Sequence, residues 1–413
     1  MKKVRDGYKI TELGEIPSDW NIMKLSEVAE IVMGQSPDSS SYNDTEDGVA
    51  FFQGKTEFGR INPVVKKWCN NPTKISKPLD ILISVRAPVG DVNINNIEAC
   101  IGRGLGAIRA TSSSNYKYLY YAIQKYNNQL KKASQGSTFE AINSNDLKGL
   151  KLPIPHIDEQ EKIALILSNV DEQIDNVDAL IEKNKELKKG LMQTLFTKGI
   201  GHTKFKNTEI GEIPEEWDVK KIGDICEVKG GKRLPKGYQL EDEDNAFPYI
   251  RVADMYMGGI RQDDIKYVPK DIVDKIKNYK ISKDDLFISV AGTLGIVGQV
   301  PYELDGANLT ENADKLCNIQ INKLYLMKVL QSNIVQSIIE AEQTKSAQPK
   351  LALIRIKEFL IPVPSDIEQV KIASILMEVD EKIGQYKNKK QKLEELKKGL
   401  MQQLLTGMIR VTV

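Results

Sequence analysis

The chain has few of the residues that most enzyme chemistries need. Its 413 residues include four cysteines and two histidines. Cys69, Cys100, Cys226 and Cys317 are dispersed without a CxxC pair, which excludes a disulfide framework and a zinc cluster and fits a reducing cytoplasm. His156 and His202 lie in separate linkers without a nearby Ser or Cys motif, so no catalytic dyad is expected, and both are read as solvated. No run approaches eighteen apolar residues, and the opening "MKKVRDGYKITELG" has no apolar core, so neither a membrane span nor an export signal is expected. Excess charge is absent too: 58 Lys+Arg stand against 57 Asp+Glu. A polyanion site must therefore be a local patch.

What is present is a duplication. "ELKKGLMQTLFT" (186–197) returns as "ELKKGLMQQLLT" (395–406), and the match extends into its flanks. An opening segment, "YKITELGEIPSDW" (8–20), returns as "FKNTEIGEIPEEW" (205–217), ending on Trp20 or Trp217. A closing segment from Pro153 matches one from Pro362. Similarity thins between them to islands: "DILISVRAPVG" (80–90) echoes "DLFISVAGTLG" (285–295), and "GSTFEAI" (136–142) stands where "KSAQPKL" (345–351) does. At 413 residues, two or more domains are expected.

The closing segments carry a heptad stripe. Ile163, Leu167, Val170, Ile174, Val177 and Ile181 step by four and three, as do Ile372, Leu376, Val379, Ile383 and Tyr386. Forty such residues make a rod of about 60 Å. One stripe needs a partner, and the other copy is the nearest match. Prolines fix each rod's start, Asp158, Glu159 and Glu161 favour the positive helix N-terminus, and Lys188, Lys189, Lys397 and Lys398 the negative end. The middle segments read as α/β: "ILISV", "LFISV", "FPYIRV" and "GAIRA" as strands, "NYKYLYYAIQKYNNQL" and "NKLYLMKVLQSNIVQSIIE" as helices. At helical spacing, Tyr116, Leu119, Tyr120, Ile123 and Tyr126 are read as core rather than a base-stacking row. The order of segments is circular, and two such repeats close on a two-fold axis, which makes the rods antiparallel. The expected architecture is two α/β recognition domains (1–152 and 205–361) separated by two long antiparallel coiled-coil helices (153–204 and 362–413), with an internal pseudo-two-fold.

Motifs for chemistry fail on inspection. "EACIGRGLGA" imitates an S-adenosylmethionine or dinucleotide loop from Glu98 to Gly104, but no acidic residue follows before Glu140 to hold a ribose. "KGGKRL" (229–234) lacks the first Gly and the Mg²⁺-binding Ser/Thr of a P-loop. No cofactor, metal site or catalytic residue is expected. What remains are basic and amide residues beside turn glycines: Gln53, Lys55, Arg60, Arg86 and Arg103 in the first half, and Lys232, Arg233, Lys236, Arg251, Lys345, Gln348 and Lys350 in the second. Arg, Lys, Gln and Asn match base edges and phosphate oxygens.

The segments "TELGEIPSDW" and "TEIGEIPEEW", the turn "DILISVRAPVG", the stretch "CIGRGLGAIR", "GSTFEAINSNDLKGLKLPIP", "EQEKIA" and the paired "LKKGLMQ" ends closely resemble the specificity subunit of type I restriction-modification systems, over essentially the whole chain. In the second half "VAGTLG" replaces "VRAPVG", so Arg86 has no basic counterpart at Ala291. The resemblance implies a non-catalytic reader of double-stranded DNA. Each domain would read half of a bipartite asymmetric site, with the helices as a ruler. Two methylation subunits carrying S-adenosylmethionine and motor-nuclease subunits would be its partners. The alternatives are the recognition subunit of a type II-like system, differing only in partner, and a stand-alone methyltransferase using Glu98 to Gly104.

Overall fold

The computed structural model describes residues 4–134, 141–343 and 350–412. The chain forms two compact units, residues 1–179 with 387–413, and residues 180–386. The two heptad stripes are continuous helices, Ile157–Thr197 and Asp366–Leu404. Because the units divide both helices, each unit contains the start of one helix and the end of the other. In the first unit these segments run antiparallel: Asp171 pairs with Lys397, and seven residues on, Asp178 pairs with Lys390, seven residues back. The second unit holds the same register in Lys188 and Asp380. All the seam residues read from periodicity are buried except Tyr386, which is half-buried. Ile163 and Leu167 belong to the core of the first globule, and Ile372 and Leu376 to that of the second, so each stripe also serves its own globule.

Each globule is built on the same plan. In the first, strands Val92–Ile94, Ile81–Ser84, Leu105–Ala110 and Ala29–Met33 form an antiparallel sheet in that order. A second sheet pairs Val49–Phe52 in parallel with Ala99–Ile101. The second globule orders Glu227–Gly230, Ala313–Cys317, Leu286–Ser289 and Val297–Gln299, and pairs Pro248–Ile250 in parallel with Ala307–Leu309. The inner strands Ile81–Ser84 and Leu286–Ser289 are short and buried on both faces, as the unbroken apolar runs "ILISV" and "LFISV" require. The aromatic stripe of helix Tyr116–Tyr126 is core: Leu119, Tyr120, Ile123 and Tyr126 are buried. Asn115 caps that helix through its side chain, and Asn322 caps its counterpart Lys323–Leu330 in the same way.

Two charged clusters fasten helices to globules. The first surrounds the tryptophans that close the opening segments. Trp20 Nε1–H donates to Glu159 at 3.0 Å, and Arg410 donates to Glu159 and Asp19. In the second unit Trp217 Nε1–H donates to Glu368 at 3.0 Å, and His202 Nε2 lies 3.0 Å from the same carboxylate. His202 is therefore not solvated as expected. Glu368, at a helix start 166 positions away, needs a partner, and His202 fills the place that Arg410 holds in the first unit. Gly199 and Gly407 turn the chain there at φ +63° and +65°; a Cβ on Gly199 would stand 2.6 Å from Trp217 Cζ2. Losing a Trp this buried would cost about 3–5 kcal/mol.

The second cluster lies farther along the long helices. Asp171, 1% exposed, accepts from Arg60 at 2.8 Å, Tyr121 at 2.6 Å and Lys397 at 2.8 Å. Burial, and then the bond to Asp171, hold the Tyr121 phenol far above its usual range, so it remains a donor. The second unit puts Lys328 on Asp380, with Lys188 beside it at 2.6 Å. Burial pushes the Lys328 ammonium down, only partly offset by Asp380. Asp380 is also burdened by burial, yet its bonds from Lys188 and Lys328 hold it below the usual carboxylate range.

Candidate nucleic-acid interface

One end of each globule gathers the loops that follow its strands. In the first, Ala99–Ile101 turns into Leu105–Ala110 over Gly102, Arg103 and Gly104. Backbone bonds draw other loop ends to this turn: Gly102 N–H to Phe52 O at 2.8 Å, Val85 N–H to Gly104 O at 3.0 Å, and Gly34 N–H to Leu105 O at 2.9 Å. Gln53, Arg86 and Arg103 consequently project from neighbouring segments, and all three are exposed. The glycines answer to packing. A Cβ on Gly34 would meet Gly102 O at 2.2 Å, and one on Gly104 would meet Gln53 O at 2.6 Å. The loop that imitates a cofactor fingerprint joins two strands, whereas that fingerprint needs a helix behind its glycines.

The second unit repeats these bonds residue for residue. Thr310 N–H reaches Ile250 O at 3.1 Å, Val290 N–H reaches Asn312 O at 2.7 Å, and Gly231 N–H reaches Ala313 O at 3.1 Å. The side chains on this common framework differ. Where the first turn carries Arg103 between Gly102 and Gly104, the second carries Glu311 between Thr310 and Asn312. Arg86 bridges Ala141, while its counterpart Ala291 bridges Lys350. The cation missing from Ala291 has moved to the facing segment. Sequence comparison aligned Arg86 with Ala291 correctly but had no means of seeing the bridge.

Of the other residues singled out, Lys232, Arg233 and Lys236 are exposed on the loop after Glu227–Gly230. Lys55 pairs with Asp91, both partly exposed, and a pair of that kind contributes little to stability. Arg60 and Arg251 stand differently. Arg60 is engaged by Asp171 and Asp175 of the long helix, and Arg251 by Asp254 at 2.6 Å and Asp264 at 3.1 Å. Lys345 and Gln348, with most of "GSTFEAI" and "KSAQPKL", lie outside the described residues. Glu311 and Asp314 also line the second platform, although basic and amide side chains are the types that the match to phosphates singles out in the sequence.

Among the described residues, no three His, Cys, Asp or Glu side chains gather as metal ligands, and no helix is long and apolar enough to cross a membrane. All four cysteines are buried and unpaired.

Two loop platforms on one framework, alike in backbone and unlike in charge, are the organisation of a two-part recognition protein. Residues 17–188 and 214–395 each match the type I restriction modification DNA specificity domain, and the chain belongs to that family of type I specificity subunits. It is 41% identical to the putative type I restriction enzyme MjaX specificity subunit of Methanocaldococcus jannaschii over 194 residues, which cover 46% of this chain and 45% of that one. The MjaVIII specificity subunit of the same organism is 24% identical over 406 residues, 96% of this chain and 94% of that one. The fold is similar to the crystal structure of a type I restriction-modification S subunit from M. genitalium, with a TM-score of 0.62 and 21% identity over 97% of each chain.

Proposed function

We propose that each unit reads one half of a split, asymmetric site in double-stranded DNA, and that the long helices set the spacer between the halves. The chain itself is non-catalytic in this reading. Two methylation subunits and the motor-nuclease subunits bring the chemistry, in the cytoplasm. Within the platforms, Arg86 and Arg103 would make bidentate contacts with guanine O6 and N7, and Gln53 would suit adenine. Lys55, Lys232, Arg233, Lys236 and Lys350 suit phosphates, with Lys345 and Gln348 proposed beside them. The observation that carries the reading is the pair of matched platforms whose corresponding positions hold Arg103 and Glu311. Identical readers would specify a palindrome, whereas unlike ones specify an asymmetric site.

The test is methylome sequencing of cells carrying the chain with its methylation subunits. A split, non-palindromic methylated motif is expected, and methylation is expected to cease when this chain is deleted. A palindromic or unsplit motif, or methyl transfer by the purified chain alone, would overturn the reading.

A further inference from the structure

The second platform contains a cavity of about 640 Å³, lined by Gly231, Lys232, Arg233, Glu311, Asp314 and Lys350 among others. Asp314 is 5% exposed, and its Oδ2 has no hydrogen-bond partner among the described residues. Across the strands it faces Gly230, where a Cβ would lie 3.4 Å from Asp314 Oδ1.

The first unit fills the same place with hydrocarbon. There the register pair is Gly106 and Met33, and a Cβ on Gly106 would come within 3.3 Å of Leu147 Cδ1 and 3.6 Å of Met33 Sδ. The second unit has thus exchanged a methionine for a glycine and a glycine for an aspartate, which leaves a cavity with a carboxylate in its wall.

A buried carboxylate oxygen without a donor is costly, and a group of this kind calls for an explanation in function. Burial pushes the Asp314 carboxyl up to about 6, against the pull of Lys350, so near neutrality it is an anion that only accepts. The rim carries mainly the opposite charge: Lys232, Arg233 and Lys350 are all exposed, beside one half-buried carboxylate, Glu311. A fitting ligand is polyanionic outside and offers an N–H donor inside. In duplex DNA that describes phosphates flanking a base whose exocyclic amino group faces the major groove: cytosine N4 or adenine N6.

We infer that Asp314 is a specificity-determining residue of the second unit, accepting a hydrogen bond from the exocyclic amino group of one base while Lys232, Arg233 and Lys350 hold the adjoining phosphates. The inference rests on the reading of each unit as a DNA reader.

The experiment measures binding of the full chain, assembled with its methylation subunits, to its site and to a panel of singly altered sites. Asp314→Ala is expected to lower discrimination at one position by about 5- to 150-fold and to leave the other positions unchanged. Two modified sites identify the donor. Pyrimidin-2-one in place of cytosine, or purine in place of adenine, lacks only the amino group, and one of them should weaken the wild type at that position without further weakening Asp314→Ala. Should Asp314→Ala fold poorly, the pair Gly230→Met with Asp314→Gly imports the first unit's packing and must show the same loss. If the wild type reads a split site while these variants keep every positional preference, the role of Asp314 is overturned and the function stands. A wild type without sequence preference would overturn both.

Discussion

Replacing Asp171 by Asn should destabilise the first unit by about 3 kcal/mol. The carboxylate is 1% exposed and accepts from Arg60, Tyr121 and Lys397, so the substitution removes the anion that these three donors share, leaving Arg60 with Asp175, and turns an amide N–H toward them. Breaking a buried charge pair costs about 3–5 kcal/mol. The lower end applies because the Lys397 and Arg60 side chains are 18% and 33% exposed and recover water when their partner is lost. In a unit of this size that corresponds to a melting temperature lower by about 6–12 °C in scanning calorimetry. A double-mutant cycle tests the geometry. Lys397→Met keeps most of the apolar stem and removes the charge, and its coupling to Asp171→Asn should be about 1–2 kcal/mol. A loss below ~0.5 kcal/mol for Asp171→Asn, or no coupling, would refute the claim that this carboxylate joins the two helix segments to the globule.

Three further outcomes are expected. Arg86→Ala and Arg103→Ala should each cost about 1–3 kcal/mol at one base position, whereas Lys55→Ala should weaken all sites evenly and reduce the salt slope by about one; titrations of altered sites at several salt concentrations would separate these effects, and uniform losses from the arginines would remove them as base readers. Deleting seven residues from each long helix shortens each by about 10.5 Å, and the methylated motif should lose about three base pairs of spacer; an unchanged spacer would rule out the ruler. Asp314 binds its proton more tightly folded, at about 6 against an ordinary 3.8, so its contribution to stability falls as pH rises between those values. Asp314→Asn should therefore gain on the order of 1–3 kcal/mol at pH 7.5 relative to pH 4, and melting curves showing equal differences at both pH values would contradict this.

The duplication, both long helices and the main strands were legible because their signals are local or repeat. Heptad spacing from Ile163 to Ile181 predicts the buried face of Ile157–Thr197 without reference to its partner. "LFISV" reads as a strand for the same reason, since its apolar run is bounded by an Asp before and a Gly soon after. The helical reading of "NYKYLYYAIQKYNNQL" held but missed the break that leaves Tyr116–Tyr126 and Asn128–Ser134 as separate helices.

The use of each polar side chain was decided by tertiary structure, because it depends on partners remote in the chain. Glu159 reads as a favourable charge at a helix start, yet its main partners are Trp20 and Arg410, 139 and 251 positions away. Arg60 has the same local surroundings as any surface arginine, and only the docking of the long helix brings Asp171, 111 positions on, within its reach. Lys328 sits in an apolar helix as though misplaced, until Asp380 meets it. Ala291 reads as a lost cation, and only the bridge to Lys350 restores the charge at that place. The sequence by itself determined periodicity and repetition, which follow from a residue's near neighbours. Whether a charge anchors a helix, faces solvent or lines a cavity is an electrostatic property of position, and position exists only once the chain has folded.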